Sequence, residues 1–135
     1  MIEELLYSKL AADVTLASLV ADRIYPVYAT EDDPLPLVVY TKESERPQNS
    51  TAGTGSFSVS TFTIDCYATT YASVKAVENA VRGAMATLAG QTGNNAIAQG
   101  VLLEESNDAA EVPFDSSGKP ILHVAMTFIV QHTRT

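Results

Sequence analysis

A chain of 135 residues with 8 basic and 16 acidic side chains carries a formal charge of −8, and 46% of its residues are apolar. That length suits one domain burying roughly two-thirds of the surface its unfolded form exposes. The acid excess, with a pI near 4.5, argues against duplex DNA or an anionic membrane as the main partner, since both select for Lys and Arg.

The first ten residues, MIEELLYSKL, are acidic and amphipathic, unlike a secretory leader. The single cysteine, Cys66, leaves no internal disulfide to form, so the expected setting is a reducing intracellular one. Ile2, Leu5, Leu6 and Leu10 make one stripe of a helix over about Ile2 to Ala12, with Glu3 and Glu4 in the first turn, where the helix dipole favours anions. Asp13 can cap a second short turn or helix through Val14–Leu19. Ile24 and Tyr25 then open an extended segment that Pro26 halts. TEDDPLP reads as a loop; Glu31, Asp32 and Asp33 lack the spaced acids and central glycine of a calcium loop and fit a solvated turn.

PLVVYTKE (Pro36–Glu43) is a β-branched run of strand length, expected near the centre of a sheet. The next thirteen residues, SERPQNSTAGTGS (Ser44–Ser56), are turn formers and predict a long loop, a kind that in compact domains is usually functional or disordered. From Phe57 to Leu88 a strand feeds almost directly into a helix. Phe62, Ile64, Cys66 and Ala68 alternate with Thr61, Thr63, Asp65 and Tyr67. Phe57 and Val59 have the opposite parity, which predicts either a bulge near Ser60 or an extension that packs elsewhere. Thr69 or Thr70 caps the helix, whose stripe is Val74, Val77, Val81, Ala84, Met85 and Leu88, and Gly90 stops it. Glu78 and Arg82 lie off the stripe and predict a surface pair worth a few tenths of a kcal/mol.

GQTGNNAIAQG is loop-like, with a short turn at Ala96–Gln99. Val101–Glu105 makes a short strand, Ser106–Pro120 a second long polar connection, and Ile121–His132 the clearest strand of all. The expected architecture is α+β: a single two-layer domain over residues 1–135, with an antiparallel sheet of about four strands and two main helices packed on one face.

Chemistry-bearing groups do not converge. His123 and His132 have opposite strand parity and cannot share a metal unaided; surface histidines are the expectation, not a zinc site. Cys66 reads as a small buried hydrophobe, and pairing it with His123 requires the two to meet across strands on a face expected to be dry. Gly53-Thr54-Gly55 lacks the flanking strand, helix and Lys-Ser/Thr of a phosphate loop. Aromatic and basic residues do not interleave as single-stranded nucleic acid requires. No catalytic, metal or cofactor site is expected. The two long polar segments remain as partner surfaces, with Glu43, Glu45, Arg46, Gln48, Asn49 and Thr54 on the first and Asp108, Glu111, Phe114 and Asp115 on the second.

A family resemblance adds to this. A leading helix is followed by L-V-x-x-R-I-Y-P (Leu19–Pro26), an acidic proline-bearing loop, and P-L-V-V-Y (Pro36–Tyr40). Then I-D-C-Y-A (Ile64–Ala68) runs into a helix with V-x-x-A-V-x-x-A-M (Val77–Met85). This order resembles the tail completion or tail terminator proteins of long-tailed phages and prophages, also called tail-to-head joining proteins, over about two-thirds of the chain. The resemblance implies a non-enzymatic virion protein at the tail–head interface, without cofactor. It would cap the tail tube as a self-assembled ring, expected hexameric, and contact the major tail tube protein and the head connector. A head-closure or adaptor protein of the neck is the alternative. A small enzyme using Cys66, His123 or the acids near Glu31 is a more distant one.

Overall fold

The chain is described by a computed structural model over residues 2–27, 35–50, 53–93, 96–111 and 121–134, the side chains of 48–50, 53–56, 110, 111 and 134 excepted. In order, the elements are α1 (Ile2–Ala12), α2 (Val14–Val20), β1 (Ile24–Pro26), β2 (Leu37–Ser50), β3 (Gly53–Ala68), α3 (Tyr71–Leu88), β4 (Thr92–Gly93), β5 (Ala96–Glu111) and β6 (Ile121–Arg134).

Local chemistry sets the helix ends. Asp13 Oδ2 accepts from the Leu16 amide at 2.9 Å and starts α2. Thr70 Oγ1 accepts from the Ser73 amide at 3.2 Å and starts α3. Just past α3, Gly90 adopts φ 86°, a conformation without steric cost only for glycine. The stripe Ile2, Leu5, Leu6, Leu10 of α1 is buried, and so is the full stripe of α3.

The sheet corrects the expected architecture. It has six strands in the order β1-β2-β3-β6-β5-β4, and three helices accompany it rather than two. It is also mixed, because β1 runs parallel to β2 with Ile24 opposite Val38; the other neighbours are antiparallel. The α+β class stands. Composition concealed the outer parts of β2 and β3 and much of β5. β2 and β3 form one long hairpin whose pairing continues to Asn49 opposite Thr54 and Ser50 opposite Gly53. Ser44–Ser56 was expected to be a loop, and so was Ser106–Glu111, which pairs with β6 as far as Glu111 opposite Ile121. Ladder hydrogen bonds join backbone groups, so a polar strand needs no apolar alternation to pair.

The face of the sheet that meets the helices carries Val38, Phe62, Ile64, Cys66, Ala68, Val124, Met126 and Val130, all buried with the stripes of α1 and α3 in one core. The predicted bulge in β3 near Ser60 does not exist. β3 stays in uninterrupted register with β6 from Ser58 to Ala68. Its pairing with β2 shifts between Lys42 and Ser44, where β2 carries the extra residue, and between Pro47 and Asn49, where β3 carries the extra residues. The buried parity simply continues through Ser60 and Ser58, which are themselves buried. What changes at Ser60 is the polarity of the inward face.

Candidate functional site

The inward-facing serines have a partner. His132, on β6 opposite Ser58, is only 6% exposed, and its Nε2 lies 2.7 Å from the Ser60 hydroxyl. Glu45 Oε1 stands 3.5 Å from the same hydroxyl and 4.0 Å from the same ring nitrogen. Lys42 Nζ ties the group to α1, at 3.2 Å from Glu45 Oε1 and 3.3 Å from Glu3 Oε1. Burial opposes the Lys42 charge, but its bonds to Glu45 and Glu3 outweigh that and hold its pKa above the ordinary value. Burial pushes His132 the other way, toward the neutral ring.

Ser, His and Glu side by side suggest a hydrolytic relay, and the geometry rejects one. A relay needs the acid on the ring nitrogen remote from the nucleophile, whereas Ser60 and Glu45 both approach Nε2. Ser60 is also 0% exposed, so no substrate carbonyl reaches its oxygen. The cluster closes the end of the core; it does not open a site. Sequence reasoning placed His132 among surface histidines, yet the clue was present. His132 continues the parity of Val124, Met126 and Val130, as Ser60 continues that of Phe62 and Ile64.

His123 lies on the opposite face, as its parity predicts. Its Nε2 is 2.8 Å from Asp65 Oδ1, and Tyr67 stacks on its ring with centroids 4.5 Å apart and planes 7° from parallel. Cys66 points into the core between them in sequence, so the Cys66–His123 pair does not form. Burial, with Glu78 and Asp65 adding to it, pushes the Cys66 thiol well above its ordinary pKa; a thiol held protonated is no nucleophile.

A third cluster joins α3 to β5. Glu78 was expected on the surface but is 4% exposed. Its carboxylate accepts from Arg82 at 2.8 Å, Lys75 at 3.0 Å and Ser106 at 3.3 Å. Lys75 also reaches Asp108 at 2.8 Å, and that bond draws the Asp108 carboxyl below its ordinary pKa. The missing information was the neighbour across the fold, since Ser106 lies 28 residues away. Beside this cluster, a pocket of about 270 Å³ lies between the start of α3 and the β5–β6 end, walled by Tyr71, Val74, Asp108, Ala109, Leu122 and His123.

The sequence-predicted partner residues fall into two groups at opposite ends of the sheet. Glu43 and Arg46 are exposed on the β2 arm, with Arg46 opposite Val59. Glu45 belongs to the Ser60–His132 cluster. Gln48, Asn49 and Thr54 lie on the hairpin backbone, with Asn49 opposite Thr54. Asp108 and Glu111 lie on β5 at the far end, opposite Val124 and Ile121. Phe114 and Asp115 fall outside the described residues, as does the acidic turn Glu31–Asp33. Among the described residues no group of three or more His, Cys, Asp or Glu side chains could hold a metal, and no helix is long and apolar enough to cross a membrane.

A family model described as "Tail completion protein gp17" matches residues 4–115. A chain in the structure "Virion of native gene transfer agent (GTA) particle" superposes with a TM-score of 0.69 at 21% identity, covering 95% of this chain and 91% of that one. The structure "bacteriophage SPP1 gp17 protein" superposes with a TM-score of 0.54 at 18% identity, covering 96% and 87%. No curated protein is a match for the chain.

Proposed function

We infer the function from one premise: this chain belongs to the tail completion protein gp17 family, whose model spans residues 4–115. It is a structural virion protein of the tail–head joint. We propose further that it caps the tail tube, stops tube growth and presents a surface to the head connector, and that it catalyses no reaction. Its partners are then the major tail tube protein on one side, the connector or neck proteins on the other, and further copies of itself in a ring, proposed as a hexamer.

The family match carries this reading. The two solved relatives of the fold support it, one belonging to a gene transfer agent virion and the other being a phage gp17 protein. The layout of the chain also fits a joint. The β2–β3 arm and the β5–β6 end lie at opposite ends of one sheet, so two neighbours can be engaged without competing. On the arm, Glu43, Glu45, Arg46, Gln48, Asn49 and Thr54 are proposed contacts; at the other end, Asp108 and Glu111 are, and Phe114 and Asp115, which follow in sequence, are proposed with them. A contact that closes head-to-tail produces a ring, and one that does not close produces a filament.

The experiment is to remove this chain from a genome that encodes it together with a tail. Separate filled heads and unattached tails are the expected product, and adding the purified chain restores joined particles. Normal yields of joined particles without the chain contradict the proposal.

A further inference from the structure

We propose that the free edge of β5 from Gly100 to Ala109 receives an extended, basic segment of a different protein as an added strand, with one apolar side chain of that segment seated in the Tyr71–Leu122 pocket. This rests on the assembly reading above and names the partner surface on the β5 side of the joint.

The first observation is the edge itself. β5 pairs with β6 on one side from Ala96 to Glu111, with register shifts between Ala98 and Gly100 and between Leu103 and Glu105, so that Glu105–Ala109 is regular strand. On the other side β4 covers only Ala96 and Ile97, and the turn after α3 bonds Ala98 through Gly90 and Gln91. Among the described residues no strand lies beyond that on the outer side, so the outward backbone groups between Gly100 and Ala109 form an open ladder. An open edge of this length is a template for strand addition, in which main-chain bonds supply affinity and pockets for side chains supply specificity.

The second observation is the pocket, one wall of which is this edge. Asp108 and Ala109 of β5 line it together with Tyr71 and Val74 of α3 and Leu122, His123 and Val124 of β6. A strand lying along β5 brings its side chains past this opening. Leu102, at 61% exposure, offers a second apolar contact nearer the other end of the edge.

The third is charge. Glu104 and Glu105 are exposed on the edge, and Lys75 is already committed to Asp108 and Glu78. Acids of this kind on an edge repel strands that carry acids and admit strands with Lys or Arg. The same argument disfavours another copy as the occupant. The open edge of β2 presents Glu43 and is interrupted by Pro47, which has no amide hydrogen to give.

The test measures amide hydrogen exchange in the purified chain and in tailed particles assembled with it. Amides between Gly100 and Ala109 that point outward exchange rapidly in the free chain. They slow by about tenfold or more in particles, because each added ladder bond must open before exchange. The double variant Glu104→Lys/Glu105→Lys keeps the melting temperature of the parent but is lost from particles, and Ala109→Trp, which fills the pocket, has the same effect. If the chain is present in particles and these amides remain fast, the strand-addition proposal fails while the assembly reading stands. If the chain is absent from particles, both fail. Cross-links from Glu105→Cys to β2 of another copy would assign the edge to a second copy and overturn the foreign segment.

Discussion

Burial holds the His132 imidazole below its ordinary pKa of 6.5, against the attraction of Glu45 and Glu3 and with the help of Lys42. The sign of the consequence follows from proton counting. Below pH 6.5 the unfolded chain takes up a proton at this residue and the folded chain does not, so stability falls as pH falls toward the lowered folded value. Once both states are protonated the loss is complete. The melting temperature is therefore expected to drop on acidification from pH 7.5 to pH 5.5 by more in the parent than in His132→Gln, whose amide does not titrate. Parallel curves for the two proteins would show that His132 does not set this dependence. Glu78 shows the limit of reading residues singly. Its helical position was correct from the sequence, but its burial depends on Ser106, which a linear pattern does not bring near it.

At the scale of elements, α1 and α3 were readable because an apolar stripe of period 3.6 has few alternative explanations. The inner half of β3 and most of β6 were readable because their apolar residues alternate strictly. The outer half of the hairpin and most of β5 were not. SERPQNSTAGTGS contains no apolar alternation, and its strands are recognised only by the partner backbone each one finds. β1 was seen as an extended segment, but its parallel pairing with β2 cannot be read from three residues. The stripe on α3 gives a direct prediction. Val77 is fully buried, and Val77→Asp places an unpaired charge in the core at a cost of about 3–5 kcal/mol, comparable with the whole stability of a small domain. Loss of the cooperative melting transition is the expected result, and an unchanged transition would remove the stripe from the core.

For the whole molecule, the net charge of −8 sets how copies meet. Like-charged subunits repel at low ionic strength, and only contacts that segregate or neutralise charge overcome this. The isolated chain is expected to sediment as a monomer of 14.4 kDa at micromolar concentration, with ring formation confined to the tail. A stable dimer under those conditions would contradict a ring that waits for its template. The partner surface was legible only in outline. Sequence placed it in two polar segments; the structure makes strands of the parts it describes and puts them at opposite ends of the sheet.

The hairpin arm and the centre of the sheet are the same pair of strands. β3 runs from Gly53, beside the end of the arm, to Ala68 at the cap of α3, and β2 and β6 flank it. β3 is continuous strand from the arm to the core, although its ladder with β2 shifts register between Pro47 and Asn49. From Ser58 inward, force applied along the arm loads the ladders on both sides of β3 in shear, so many hydrogen bonds share it rather than opening one after another. In a joint between tail and head, a strand shared by arm and core would act as a tie rod.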